Sequence, residues 1–225
     1  MMTPLEGNFY QFEDFFSNDV HRRIYDDLSN SMKWGMIQSS TVNTNFPNDL
    51  PYPMQNDNKS KPEYNPKFWV NILGGTLPMS DNVNEHNPFY EDYVYKLATE
   101  RLQIGDNQEL IPYHIYANGQ TRGQTGNWHQ DSTLDTDWTL LYYVNMEWDC
   151  PKWGGSTYFV DGSSSTPKIH FYKPNSAVLF RSSIWHYADP PSAQMDSLRI
   201  TLAYKMRFYP KGKFDYDKFL SENGS

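Results

Sequence analysis

The chain has 225 residues, a formal net charge of −8 and a single cysteine, Cys150. This length predicts one domain over 1–225, and the acidic balance argues against broad contact with phosphate backbones, so no nucleic-acid partner is expected. The lone thiol excludes an intrachain disulfide, and without a transmembrane-length apolar run or a basic and apolar leader, a cytoplasmic location with no membrane partner is expected.

Hydrophobic residues make up only 38% of the chain, but 17 Tyr, 13 Phe and 7 Trp can build a core from large rings. Phe9, Tyr10 and Phe12 read as a strand. Ser17 then offers an N-cap, Asp19 suits the helix dipole, and Val20, Ile24 and Leu28 recur on one helical face. From Gln38 to Tyr64 the chain is polar and rich in Asn and Pro. This predicts a long loop, with a short strand near Thr41-Val42, which serves either as a lid or as surface decoration. Asn87-Pro88 opens a second helix whose apolar stripe is Phe89, Tyr93, Val94 and Leu97, extended by Leu102.

From Leu110 onward the chain reads as strands and turns, among them Asp137 to Asn145, Ser176 to Arg181 and Leu198 to Phe208, with Ser163-Ser164-Ser165 as a hairpin turn. Helices first and strands afterwards predict a mainly β architecture: an antiparallel sandwich with helices packed outside it. The helical support is expected over about 1–105 and the β core over about 108–210.

His129-Gln130-Asp131 carries the chemistry. Residues i and i+2 of an extended strand point to the same side, so His129 and Asp131 can reach one ion, with His186 arriving from a distant strand. Two imidazoles and a carboxylate suit one face of an octahedral Fe(II) and leave three positions open. In the last strand Arg199 and Thr201 share one face, while Leu198, Ile200, Leu202 and Tyr204 share the other. An inward guanidinium needs an anionic partner, such as the carboxylate of a co-substrate. His21, His86, His114 and His170 read as structural or solvated.

Several stretches resemble the Fe(II)/2-oxoglutarate-dependent dioxygenases, and most closely their prolyl-4-hydroxylase-like group. Tyr116-Ala117-Asn118-Gly119 resembles the turn before the metal strand. Thr139 to Asn145, followed by Glu147-Trp148-Asp149, is similar to the second core strand of the oxygen-sensing prolyl hydroxylases. Trp153-Gly154-Gly155-Ser156-Thr157 resembles the Gly-Gly turn that opens the next strand. Lys173 to Phe180 looks like the turn and strand before the distal histidine, with Asn175 where Gly is usual. The likeness covers roughly Leu110 to Phe208.

The resemblance implies a double-stranded β-helix, or jelly roll, with the N-terminal helices packed on its major sheet. It implies Fe(II) on His129, Asp131 and His186, with 2-oxoglutarate and O2 as co-substrates and ascorbate in support. Arg199 would pair with the distal carboxylate of 2-oxoglutarate, and Thr201, Tyr116 and Tyr143 would hydrogen-bond it. Either tyrosine can equally be a core ring. The expected reaction is hydroxylation of an unactivated C–H bond with release of succinate and CO2, on a peptide or protein proline as in procollagen-proline dioxygenases.

Asp131 favours hydroxylation, since related halogenases carry a small residue there. Two departures bear on the substrate: Arg199 stands where collagen-type enzymes use Lys, and a longer stretch with Gly119, Gly123 and Gly126 precedes His129. The alternatives are the same chemistry on a free amino acid or other small molecule, the same chemistry on a nucleobase, and a non-oxidative cupin-like metal-binding or purely structural jelly roll. Trp128, Trp138, Trp185 and Arg181 are either groove or core.

Overall fold

Ser17 caps the first helix as its sequence position predicts, its hydroxyl accepting from the Val20 N–H at 3.4 Å. The helix follows a strand and leads into the elements of a computed structural model that describes residues 7–38, 67–75, 87–104, 106–124, 126–160 and 166–223. The chain from 39 to 64 with the strand expected at Thr41-Val42, His86 and the Ser163-Ser164-Ser165 turn lie outside these residues. In chain order the elements are β1 (Phe9–Phe12), α1 (Asn18–Ser29), β2 (Gly35–Gln38), β3 (Lys67–Gly74), a π-helical turn (Phe89–Val94) running into α2 (Tyr95–Leu102), and β4 (Gln108–Gln120). There follow β5 (Asp137–Tyr143), a short α3 (Cys150–Trp153), β6 (Thr157–Val160), β7 (Lys168–His170), β8 (Ala177–Arg181), β9 (Trp185–Ala188), β10 (Arg199–Pro210) and α4 (Tyr216–Asn223).

The strands form a seven-stranded sheet in the order β1-β8-β5-β10-β4-β3-β2 and a three-stranded sheet in the order β7-β6-β9. Every pairing is antiparallel. This is the expected mainly β jelly roll, with one addition: β1, β2 and β3, all before residue 105, join the large sheet. Val20, Ile24 and Leu28 of α1 enter one buried cluster with Ile200, Leu202, Tyr204 and Met206 of β10. The N-terminal helices thus cover one face of the large sheet. Its other face looks towards the small sheet.

The second helical segment differs from the expected stripe. Tyr90, Val94, Ala98 and Leu102 are its buried residues, whereas Tyr93 is exposed. The π turn explains the change: wider hydrogen-bond rings rotate the following face relative to an ideal 3.6-residue period. His21 also faces inward, with a ring nitrogen 2.7 Å from the Val144 carbonyl, so it is a satisfied structural histidine.

Asn175 ties the N-terminus to the jelly roll. Its φ of 57° is the left-handed conformation expected where Gly is usual. The side chain adds what Gly cannot. Its Oδ1 accepts from Phe16 N at 3.1 Å and from the Tyr142 hydroxyl at 3.0 Å, and its Nδ2 donates to Phe16 O at 2.8 Å. Asn175→Gly keeps the backbone conformation and removes these bonds. A loss of about 1–3 kcal/mol is expected in denaturant unfolding; a change within a few tenths of a kcal/mol would show that only the backbone conformation matters.

Candidate active site

His129 does not lie in a regular strand. It makes a single antiparallel bridge to His186: His129 N donates to His186 O at 3.0 Å and His186 N to His129 O at 2.9 Å. That exchange sets the two histidines side by side, with ring centroids 4.2 Å apart. Asp131 N then donates to Ser182 O at 2.9 Å. The extended backbone turns Asp131 to the same side as His129, as the i, i+2 spacing requires. One ligand atom from each of His129, Asp131 and His186 lies within 4.8 Å of the others.

Hydrogen bonds behind the rings decide which nitrogens face inward. His129 Nδ1 lies 2.8 Å from the Asn127 carbonyl, and His186 Nδ1 lies 2.9 Å from the Ile184 carbonyl. A carbonyl only accepts, so both Nδ1 atoms carry the proton. Burial, followed by the neighbouring His186, pushes His129 down to about 4. Burial also lowers His186. Both rings are therefore neutral at pH 7, with bare Nε2 atoms.

These Nε2 atoms lie 3.7 and 3.6 Å from the two Asp131 carboxylate oxygens. Three lone-pair groups face one another with no proton between them. Such a set fits a divalent cation, and the N, N, O donors suit Fe(II). Burial works against ionisation of Asp131, but the Lys205 ammonium and then the two histidines hold its carboxyl well below the usual range. Thr139 Oγ1 donates to Asp131 Oδ2 at 2.7 Å and pairs with Ser182 Oγ at 3.0 Å, fixing the carboxylate plane.

Arg199 is 1% exposed. Its Nε donates to Gly155 O at 2.8 Å, Nη1 to Gln120 Oε1 at 2.7 Å and Nη2 to Thr157 Oγ1 at 3.3 Å. No carboxylate lies within ion-pair distance of it among the described residues; Asp189 acts on it only at longer range. These three bonds leave one N–H on each Nη, a fork suited to a carboxylate. The Gly-Gly turn makes the arrangement possible. At Gly155, with φ of 80°, a Cβ would lie 3.0 Å from Arg199 Cδ and Nε.

A cavity of about 310 Å³ joins these groups and is lined by His129, Asp131, His186, Arg199, Thr201 and Tyr116, among others. Tyr143 lies behind Arg199 rather than in the cavity wall. Its ring centroid is 5.9 Å from the guanidinium carbon, and its hydroxyl donates to Thr157 Oγ1 at 2.8 Å. Gly126 of the glycine-bearing stretch reaches the cavity wall. Trp128, Trp138, Trp185 and Arg181 do not line it. Trp128 packs on Tyr187, with Trp185 against the same cluster, Trp138 is core, and Arg181 stacks over Trp138 at 4.4 Å.

Sequence reading missed Gln120, Thr139, Thr157 and, above all, Lys205. Lys205 lies on the inward face of β10 with its Nζ 2.8 Å from Asp131 Oδ1. The alternation that singled out Arg199 and Thr201, carried four residues further, would have found it.

The fold and site together are a jelly roll in which two histidines and a carboxylate face one another beside a buried arginine with two N–H groups to spare. Residues 112–205 match the family model of the 2OG-Fe(II) oxygenase superfamily. Among solved structures, the chain is similar to a 2OG-Fe(II) oxygenase family oxidoreductase from Burkholderia pseudomallei, at 12% identity over 90% of this chain and 86% of that one, with a TM-score of 0.62. It is also similar to a Trichoplax adhaerens prolyl hydroxylase in complex with a hypoxia inducible factor oxygen degradation domain peptide fragment, at 13% identity over 98% and 90%, TM-score 0.59. A Pseudomonas putida prolyl-4-hydroxylase is similar at 14% identity over 90% and 95%, TM-score 0.53. At such identities the likeness speaks for the fold. No curated protein matches the sequence.

Two predictions follow from this geometry. Thr139→Val frees the Asp131 carboxylate, and metal affinity should fall roughly 10- to 100-fold in a competition titration. Burial, followed by Arg199, pushes His170 down to about 4, against about 6.5 in an unfolded chain. Between those values the unfolded chain binds a proton that the folded one does not, so stability rises with pH across the window and is lost on acidification. His170→Gln should make the stability–pH slope of the metal-free protein shallower from about pH 6.5 to 4; an unchanged slope would contradict this assignment.

Proposed function

We propose that this protein is an Fe(II)- and 2-oxoglutarate-dependent dioxygenase that hydroxylates an unactivated C–H bond, with residues 1–225 forming one dioxygenase domain. The observation that carries the proposal is the set of three facing lone-pair groups beside a buried arginine that keeps two donors free. His129, Asp131 and His186 would hold the iron. Bound there, Fe(II) supplies O2 activation coupled to the decarboxylation of 2-oxoglutarate, giving succinate, CO2 and a hydroxylated product, one oxygen atom in each of succinate and alcohol.

The remaining work falls to the chain's own residues. Asn127 and Ile184 carbonyls keep both imidazoles in the ligating tautomer. Arg199 pairs with the distal carboxylate of 2-oxoglutarate and so orients it. Thr201 and Tyr116 offer hydroxyls from the cavity wall, while Tyr143 acts through Thr157 to set the guanidinium. Leu141, Phe180 and Val70 give the cavity an apolar wall that limits water. A cupin-like or structural role would leave the free donors of Arg199 unexplained.

A proline in a peptide or protein is the first substrate class, supported by the fold shared with prolyl hydroxylases, and ascorbate would assist turnover. The second class, a free amino acid, is favoured by Lys205 in the cavity. No described helix is long and apolar enough to cross a membrane; a cytoplasmic location belongs to the proposal.

With Fe(II) and ascorbate, the purified protein should convert 2-oxoglutarate to succinate, slowly without its prime substrate. His129→Ala and Asp131→Ala should abolish this; strong succinate formation by both would sink the assignment. Arg199→Met should raise KM for 2-oxoglutarate at least about 10-fold, since a charge-assisted pair contributes ~1.5–3 kcal/mol. An unchanged KM would remove Arg199 from the co-substrate site.

A further inference from the structure

We propose that Lys205 is a specificity residue that grips a carboxylate of the molecule being hydroxylated; this rests on the dioxygenase reading above. Arg199, Thr201, Ala203 and Lys205 alternate along the inward face of β10 and all line the cavity. Six residues of extended strand separate the two cations, roughly 20 Å between Cα atoms. Arg199 therefore serves one end of the cavity and Lys205 the other. The co-substrate's distal carboxylate goes to Arg199, whose two free donors are shaped for it. Lys205 is beside the metal ligands, with Nζ 2.8 Å from Asp131 Oδ1, too near the metal centre to be that distant anchor.

Its charge needs a partner. The Lys205 side chain is 18% exposed, and the titratable groups around it are Asp131, Tyr116, Tyr113, His114, His129 and His186. Asp131 is the sole carboxylate in that set. Once Asp131 ligates a dication, Lys205 faces that dication and must share its counter-charge. Iron, Arg199 and Lys205 together bring four positive charges to the cavity, while Asp131 and the two carboxylates of 2-oxoglutarate bring three negative ones. One positive charge is left over in the cavity, and Lys205, which shares its carboxylate with the metal, is the cation least well matched. A largely covered ammonium with only a shared counter-charge is costly, and an anionic substrate lowers the cost.

Asn118 points to the rest of the substrate. It stands opposite Thr201 across β4 and β10 and lines the same cavity. Its Oδ1 is buried and without a hydrogen-bond partner among the described residues. 2-Oxoglutarate as a dianion has no donor to give it. An N–H group on the substrate does. A carboxylate together with an N–H group is the chemistry of an amino acid, either free or as an acidic residue within a peptide.

The full-length protein, saturated with Mn(II) in place of iron and with 2-oxoglutarate, allows binding to be read without turnover. Calorimetric titrations would use the free L-amino acids, their carboxamides, and blocked proline-containing peptides with and without Asp or Glu. The expected result is that one or more carboxylate-bearing ligands bind and that their amides bind at least roughly 10-fold more weakly. Lys205→Met should lose this preference and Lys205→Arg should keep it, both read on Mn(II)-saturated protein that retains a cooperative thermal melt. Binding confined to free amino acids, or to acidic peptides, assigns the source of the carboxylate. Equal binding of acids and amides, no binding of any carboxylate at millimolar concentration, or an unaltered preference in Lys205→Met would overturn the proposal. Loss of 2-oxoglutarate binding in Lys205→Met with Mn(II) still bound would overturn it as well, by moving Lys205 to the co-substrate. Failure of the wild-type protein to bind Mn(II) and 2-oxoglutarate would instead remove the dioxygenase reading beneath it.

Discussion

β10 separates two chemistries within one strand, and the site depends on that separation. Ile200, Leu202, Tyr204 and Met206 turn towards the helices and join the main apolar cluster. Arg199, Thr201, Ala203 and Lys205 turn the other way, into the cavity. A one-residue slip would exchange the faces, burying two cations among Ile24, Leu28 and Val94. Pairing on both sides, with β4 over its full length and with β5 over half of it, holds the register. Burial of the helix face therefore also fixes where the two positive charges stand.

Around this strand, backbone groups do much of the positioning. The two histidines are neighbours because their backbones exchange hydrogen bonds, and their tautomers follow from two carbonyls only two residues upstream of each ring. Arg199 is aimed by the Gly155 carbonyl, which approaches closely because that residue has no Cβ. Main-chain donors and acceptors in packed strands move little, so the three facing groups are held close together by the backbone itself. Asp131 alone is set by side chains, Thr139 and Lys205, and Lys205 is the one of these that carries charge.

Much of this was legible beforehand, and the failures have physical causes. Ser17, the α1 stripe, the left-handed turn at Asn175 and the three main strands followed from local rules of capping, period and turn chemistry. The second helical stripe was misplaced because a π turn changes the period, and no local signal in Phe89 to Val94 announces one. For His21, read as structural or solvated, the structural reading holds, and what decides it is the Val144 carbonyl, 123 residues away. Trp128 and Trp138 flank the triad in sequence yet pack into separate apolar clusters, because alternation turns each away from its neighbours.

The sequence by itself determined which residue types could meet at the centre. Two imidazoles, a carboxylate and an inward arginine are residue types with few joint uses, and alternation along a strand places each on a face. The same alternation already contained Lys205. Tertiary structure decided how the pieces meet: which strands flank β10, which nitrogens of the histidines look inward, and that Gln120, Gly155 and Thr157 converge on Arg199 from 79, 44 and 42 residues away. Local propensity depends on neighbours within a few residues. Convergence depends on strand order and register, which are properties of the whole sheet and the apolar face it buries.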